Sequence, residues 1–321
     1  MSRYPVTEPF DSGLLEVGDG NRMYYEQVGN PEGIPVAYVH GGPGAGCSTL
    51  ARGALDPGRY RVILFDQRNC GRSLPHASDP ATDLSSNTTR HLIADMELLR
   101  EHVGVEKWML YGGSWGTTLI LAYAQAHPGR VTQVIMQSIT VTDRDGVAWL
   151  YEGAGRFFPE AQERFRAYIP EAERGKDVFD LLAAYGRLME HPDPEVRART
   201  AAEWVAWEDA VISQEANGSP GAYSARMDEG RLAFVRICAH YFSNIAFLED
   251  GVLYRDAGKL AGIPAVLVHG RNDLGGPVKM AWDVAKAWPG SELFIIEDAG
   301  HTGSAAFNQA TKNAIERFAA A

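Results

Sequence analysis

The 321-residue chain is 45% hydrophobic and 22% charged, which suits one large globular domain, or one domain with an inserted lobe, around a sizeable core. Its net charge of −11 argues against nucleic acid and anionic membrane surfaces as partners, and no apolar run approaches the length of a membrane span. The three cysteines, Cys47, Cys70 and Cys238, are widely spaced and form no CxxC, so neither a disulfide framework nor a zinc site is expected. Met1 to Gly13 has no basic and apolar signal regions, which makes a reducing cytoplasm the expected compartment.

Residues 14–29 alternate around Gly18-Asp19-Gly20-Asn21 and predict an antiparallel hairpin. Pro35–Val39 predicts a buried strand that runs into the glycine-rich loop His40-Gly41-Gly42-Pro43-Gly44. That loop lacks both G-x-x-x-x-G-K and G-x-G-x-x-G, so a phosphate cradle is disfavoured. Arg61–Phe65 is a second buried strand, ending in Asp66-Gln67-Arg68. Thr88–Glu101 predicts an amphipathic helix with Leu92, Met96 and Leu99 on one side. A strand at Lys107–Tyr111, a helix at Thr117–Ala126 and a strand at Val131–Gln137 follow. Further on, Ala265–Val268 and Leu293–Ile296 read as strands, and 278–287 and 305–319 as helices. Strands alternating with helices predict an α/β fold, a mostly parallel sheet flanked by helices. The rhythm breaks at 143–250, where Glu160–Tyr168, Val178–Met189, Asp193–Ile212 and Gly230–Asn244 all read as helices. A helical cap is therefore expected at 143–250, inserted between 1–142 and 251–321 and roofing the C-terminal edge of the sheet, where sites in such folds lie.

The chemistry centres on Gly112-Gly113-Ser114-Trp115-Gly116, set between a strand and a helix as a nucleophile elbow requires. The glycines permit the tight turn, Ser114 is the expected nucleophile, and the Trp115 N–H opens the helix facing a developing oxyanion. A serine needs a base and the base an orienter. His301, in Asp298-Ala299-Gly300-His301-Thr302, follows the last strand and is the expected base. Asp273 follows the preceding strand and is the expected orienter, with Asp298 as competitor. Gly42 is the expected second oxyanion donor, with Gly41 as the near alternative. Asp66 to Ser73 is expected to buttress the site, its charges structural rather than catalytic. The order Ser, Asp, His is that of the α/β-hydrolase fold.

With these residues in place, the chain resembles the proline iminopeptidases (prolyl aminopeptidases), α/β-hydrolase serine peptidases. The resemblance runs nearly end to end. It rests on Tyr4-Pro5 to Phe10, Glu16-Val17-Gly18-Asp19-Gly20, Tyr24-Tyr25-Glu26, His40-Gly41-Gly42-Pro43-Gly44, Asp66-Gln67-Arg68, Cys70-Gly71-Arg72-Ser73, Asn87-Thr88-Thr89 and Gly113-Ser114-Trp115-Gly116. It implies a helical cap, no cofactor and no metal, and release of N-terminal proline through Ser114, His301 and Asp273. It also implies two cap glutamates on the substrate's amino group. Trp207-Glu208 fits one of them, but the segment for the other reads Arg236-Ile237-Cys238-Ala239-His240-Tyr241-Phe242, with Cys238 where a glutamate is implied. A charge-assisted contact of that kind is worth roughly 1.5–3 kcal/mol. An aromatic wall of the implied proline pocket is replaced by Thr140 in Gln137-Ser138-Ile139-Thr140, leaving Tyr151 and Phe242 as walls. Asn69 stands where the family has glycine, a mild change because Asn tolerates positive φ.

Two readings follow. One is an aminopeptidase acting on a small-molecule or short-peptide substrate with N-terminal proline. The other is a relative recruited to a different amide, ester or acyl substrate. A binding protein with a vestigial triad is a third, although no catalytic position is lost. Oligomeric state is not legible in the sequence.

Overall fold

In the computed structural model, which describes residues 4–212, 221 and 228–320, the turn at Gly18-Asp19-Gly20 closes a hairpin of β1 (Asp11–Gly18) and β2 (Asn21–Gly29). β2 pairs antiparallel with β4 (Tyr60–Phe65), which lies beside β3 (Ile34–Val39). From β3 onward every pairing is parallel, through β5 (Trp108–Ser114), β6 (Val131–Ile139), β7 (Ala265–Gly270) and β8 (Ser291–Ile296). The eight strands lie in the order β1-β2-β4-β3-β5-β6-β7-β8. α1 (Thr89–His102) joins β4 to β5, and α2 (Trp115–Ala126) joins β5 to β6. The chain then leaves the sheet for α3 (Arg144–Tyr151), α4 (Pro159–Tyr168), α5 (Val178–Met189), α6 (Pro194–Ile212), α7 (Asp228–Ser243) and the short α8 (Val252–Arg255). It returns at β7, and α9 (Val278–Ala287) and α10 (Ala305–Phe318) complete the flanking layers.

The period of two along each strand assigns the layers. On β5, Leu110 packs with Met96 and Leu99 of α1, Leu119 of α2 and Val284 of α9. Its neighbours Met109 and Tyr111 face the other way, toward Phe307, Ile315 and Phe318 of α10. Helices α3 to α7 build a core of their own from Tyr151, Phe165, Tyr185, Trp204, Trp207 and Phe234. Aromatic packing dominates it: the Phe165 and Tyr185 rings stack at 4.4 Å. This separate core is why residues 143–250 carry so many aromatics and no strand pattern.

Two elements differ from expectation. α3 was not legible, because it has eight residues and Gly146 interrupts its apolar spacing. Gly146 is required there, since a Cβ would lie 2.3 Å from the Val141 carbonyl, and Asp143 caps the helix by accepting the Gly146 N–H at 2.8 Å. α2 starts at Trp115, two residues before its periodicity begins, because the turn itself delivers the chain into the helix. Among the described residues no helix is long and apolar enough to cross a membrane.

The hairpin is locked to α1 by one buried cation. Arg68 grips both Asp95 oxygens at 2.7 and 2.8 Å and donates to the Val17 and Ser86 carbonyls. Arg68→Ala strands the Asp95 charge and is expected to cost about 3–5 kcal/mol, read from denaturant midpoints. Arg68→Met with Asp95→Leu is expected to recover most of that loss. A double variant as unstable as the single one would show that the charge pair is not the cause.

Candidate active site

The site begins with a backbone conformation. Ser114 ends β5 with φ 55° and ψ −134°, a region that L residues seldom occupy. Close packing of the elbow against the end of β3 holds it there. A Cβ at Gly116 would lie 2.3 Å from the Val39 carbonyl oxygen, and one at Gly112 would lie 2.4 Å from the same atom. The turn projects the Ser114 hydroxyl off the sheet edge and leaves the Trp115 N–H in the first turn of α2, where helical N–H groups lack intrahelical acceptors.

His301 lies on the loop after β8. Its Nε2 is 3.0 Å from Ser114 Oγ, and its Nδ1 is 2.9 Å from each Asp273 oxygen. With Asp273 ionised, Nδ1–H donates to the carboxylate and Nε2 is left to accept the serine proton. Asp273 is buried, and burial pushes its carboxyl up. The His301 ring and its hydrogen bond, together with the Gly276 N–H at 2.8 Å, outweigh burial and hold the carboxyl below its ordinary value. His269 is a neutral strut: Ile139 N–H donates to its Nδ1 at 2.9 Å, and its own Nε2–H donates to the Gly276 carbonyl at 2.9 Å. Burial lowers its pKa in accordance with that role. Asp298 is exposed and accepts the Ser304 hydroxyl at 2.9 Å, holding the loop.

Gly42 opens onto the same space as Ser114 and Trp115. Its φ is +125°, and a Cβ would meet Gly44 N at 2.6 Å, so no side chain fits. Gly41 sits closer to the elbow, where an added Cβ would be 3.2 Å from Ser114 Cβ, and it does not line the cavity. Asp66 to Ser73 forms the flank. Asp66 accepts the Cys47 N–H at 2.7 Å and Arg72 Nε at 2.8 Å, and Asn69 adopts φ 65°.

The cavity holds about 570 Å³ of empty space, part of it open to solvent. Beyond Ser114 and His301 its walls are chiefly Val141, Val147, Leu150, Ile212, Phe242 and Met280. Glu208 of α6 is the only carboxylate among the described residues that line it. Its Oε1 accepts from the Tyr151 hydroxyl at 2.6 Å and from Trp204 Nε1 at 2.8 Å. Thr140 and Phe242 also face the cavity. Tyr151 and Cys238 do not. Tyr151 is fully buried behind Glu208, its hydroxyl turned to the carboxylate rather than its ring to the cavity. Cys238 is buried in the helical core, its thiol donating to the Pro43 carbonyl at 3.4 Å. The apolar walls went unrecognised in the sequence because Val, Leu and Ile at helical spacing carry no mark that separates pocket from core. Gln67 lies within Asp66-Gln67-Arg68 and His269 directly follows the strand Ala265–Val268, but neither residue type carries a mark of a supporting role. Among the described residues no group of three or more His, Cys, Asp or Glu is arranged to hold a metal ion.

Comparison with known proteins gives the family and the fold. The alpha/beta hydrolase fold family matches residues 34–304. A probable proline iminopeptidase of Streptomyces coelicolor is 46% identical over 99% of this chain and 98% of its own. A proline iminopeptidase of Xylella fastidiosa is 46% identical over 93% of each chain. The crystal structure of a Mycobacterium smegmatis proline iminopeptidase, 16% identical, superposes with a TM-score of 0.61 over 97% of this chain and 99% of its own, a likeness of fold.

The depressed pKa of Asp273 sets a pH signature. A carboxyl held below its unfolded value contributes stability above that value, near pH 4, and loses it as pH falls through the lower folded-state pKa. The stability gap between the native chain and Asp273→Asn, measured by urea unfolding, is expected to narrow as pH falls below 4. A gap independent of pH would show that the His301 pair does not stabilise the ionised form.

Proposed function

The chain belongs to the proline iminopeptidase family of alpha/beta hydrolases, and on that premise we propose that it is a serine aminopeptidase releasing an N-terminal prolyl, or similarly small, residue from a short peptide or amide. The observation that carries the reading is the shared cavity of Ser114, His301 and Glu208. The amino terminus of such a substrate is a secondary ammonium ion. A carboxylate set in apolar walls selects that cation and rejects a blocked terminus, which has neither the charge nor the same donors. Val141, Val147, Leu150 and Phe242 offer apolar surface to a pyrrolidine ring.

In this reading Ser114 Oγ attacks the prolyl carbonyl while His301 Nε2 takes the hydroxyl proton. Asp273 holds the Nδ1–H and stabilises the imidazolium. The oxyanion is received by the N–H groups of Gly42 and Trp115. Collapse of the tetrahedral intermediate breaks the C–N bond, and His301 returns its proton to the leaving amine. Water, deprotonated by the same nitrogen, then attacks the acyl-enzyme and frees proline. Helices α3 to α7 act as the cap that supplies Glu208 and excludes bulk water. A cytoplasmic setting is in keeping with the three free cysteines.

The Cys238 thiol is engaged with the Pro43 carbonyl, so amine recognition at the described lining falls to Glu208. That specific feature keeps a second substrate class, a blocked amide or ester, within the same test. Prolyl-4-nitroanilide, its N-acetyl form, alanyl-4-nitroanilide and a short-chain 4-nitrophenyl ester are compared. The free prolyl amide is expected to be cleaved fastest, and Ser114→Ala is expected to lower that rate at least about 10⁴-fold. Glu208→Gln is expected to lower kcat/KM for the free prolyl amide by about 10- to 100-fold and to leave the ester unchanged. Ester or blocked-amide turnover without prolyl cleavage would overturn the aminopeptidase reading.

A further inference from the structure

Gln67 touches no part of the cavity, yet it joins the two chain segments that carry the oxyanion donors. Its Oε1 accepts the Trp115 Nε1–H at 3.0 Å, and its Nε2–H donates to the His40 carbonyl at 3.0 Å. Its backbone N–H donates to His40 Nε2 at 3.0 Å, so His40 is left to donate from Nδ1 to the Gly41 carbonyl at 2.8 Å. Gln67, His40 and Trp115 are all at most 3% exposed. His40 opens the loop that carries Gly42, and Trp115 opens α2. These segments are remote in sequence, and Gln67 bonds to side chain or backbone in both.

The carrier of Gln67 is itself rigid. The preceding residue, Asp66, accepts the N–H groups of Cys47 and Arg72 at 2.7 and 2.9 Å and the Arg72 guanidinium at 2.8 Å. The following residue, Arg68, is clamped on Asp95. A fixed base therefore presents one planar amide whose acceptor end holds the elbow and whose donor end holds the glycine loop.

We propose that Gln67 is a positioning residue for the oxyanion hole, setting the separation between the Gly42 and Trp115 N–H groups. This rests on Ser114 being the nucleophile and on those two N–H groups receiving the oxyanion. Two donors stabilise one oxygen only when both reach it at about 2.7–3.1 Å, and a misplacement of about 1 Å costs roughly 100-fold. The ground-state carbonyl is less sensitive to that spacing than the tetrahedral oxygen. Loss of Gln67 therefore acts on kcat and spares KM.

The test compares the native enzyme with Gln67→Met, which keeps the volume and removes both ends of the amide, and with Trp115→Phe, which keeps the backbone N–H and removes the indole donor. For Gln67→Met, kcat on prolyl-4-nitroanilide is expected to fall 10- to 100-fold, with KM within about twofold. Affinity for pyrrolidine-2-boronic acid, whose adduct on Ser114 places an oxygen in the hole, is expected to fall in parallel with kcat, while affinity for free proline holds. The double variant is expected to be no slower than the slower single one, because both break the same bridge. A Gln67→Met enzyme within threefold of native kcat, or equal losses in kcat, boronate affinity and proline affinity, would overturn the proposal. Should Gln67→Met fail to fold, Trp115→Phe alone decides by the same ratio of boronate to proline affinity. If the native chain shows no Ser114-dependent prolyl cleavage, the aminopeptidase reading fails on its own. The same comparison with 4-nitrophenyl acetate and phenylboronic acid then still decides the role of Gln67.

Discussion

The carbonyl of Val39 is the fixed point of this molecule. Its oxygen occupies the space where a Cβ of Gly112 or of Gly116 would lie, at 2.4 and 2.3 Å, so β5 and α2 can close on the end of β3 only as glycine. That approach holds Ser114 in its strained backbone geometry and sets the first turn of α2 against the His40–Gly44 loop. The Ser114 turn, the placement of the His40–Gly44 loop and the helix terminus thus follow from one contact between strands. The cost of strain at Ser114 is of the order of 1–3 kcal/mol and is met by the parallel pairing of β5 with both β3 and β6.

Asp273 and His301 come from loops after β7 and β8, and Glu208, the carboxylate of the cavity, comes from α6. Asp273 and His301 are brought together by strand order, since β7 and β8 are neighbours and lie next to β6 and β5. Glu208 belongs to a different core. Tyr151 and Trp204, both buried in the helical layer, converge on the same Glu208 oxygen and fix its rotamer from behind. The carboxylate therefore owes its position to aromatic packing that is independent of the sheet.

This division explains what was legible in the sequence. Strands with a period of two, the glycines of the elbow and the order Ser114, Asp273, His301 are local or ordinal signals, and they survive without coordinates. Asp273 could be preferred to Asp298 because it follows a strand whose neighbour carries the base, and the 2.9 Å contacts with His301 agree. The direction in which a buried aromatic points is not a local signal. Tyr151 reads as a pocket wall in sequence, but a tyrosine hydroxyl buried beside a carboxylate gains more by donating to it than by exposing its ring. Cys238 likewise reads as a missing substrate contact, whereas its thiol has its acceptor in the Pro43 carbonyl. Gln67 was invisible as an individual because glutamine carries no motif; its role lies in the two ends of one amide meeting partners from different parts of the chain.

Thr140 shows how such a scaffold separates backbone support from cavity lining. Its backbone is tied to the elbow helix: the Thr140 N–H donates to Thr117 Oγ1 at 2.9 Å, and its carbonyl accepts from the hydroxyl of Thr118 at 2.9 Å. Thr117 Oγ1 donates to the Ser114 carbonyl at 2.8 Å, so the peptide at position 140 is part of the support for Ser114. None of these bonds uses the Thr140 side chain, which faces the cavity. A side-chain exchange at position 140 alters the shape and polarity of the cavity wall while leaving the backbone that braces Ser114 intact. A fold built this way can change its cavity lining at position 140 or 208 without disturbing the distance between serine and histidine.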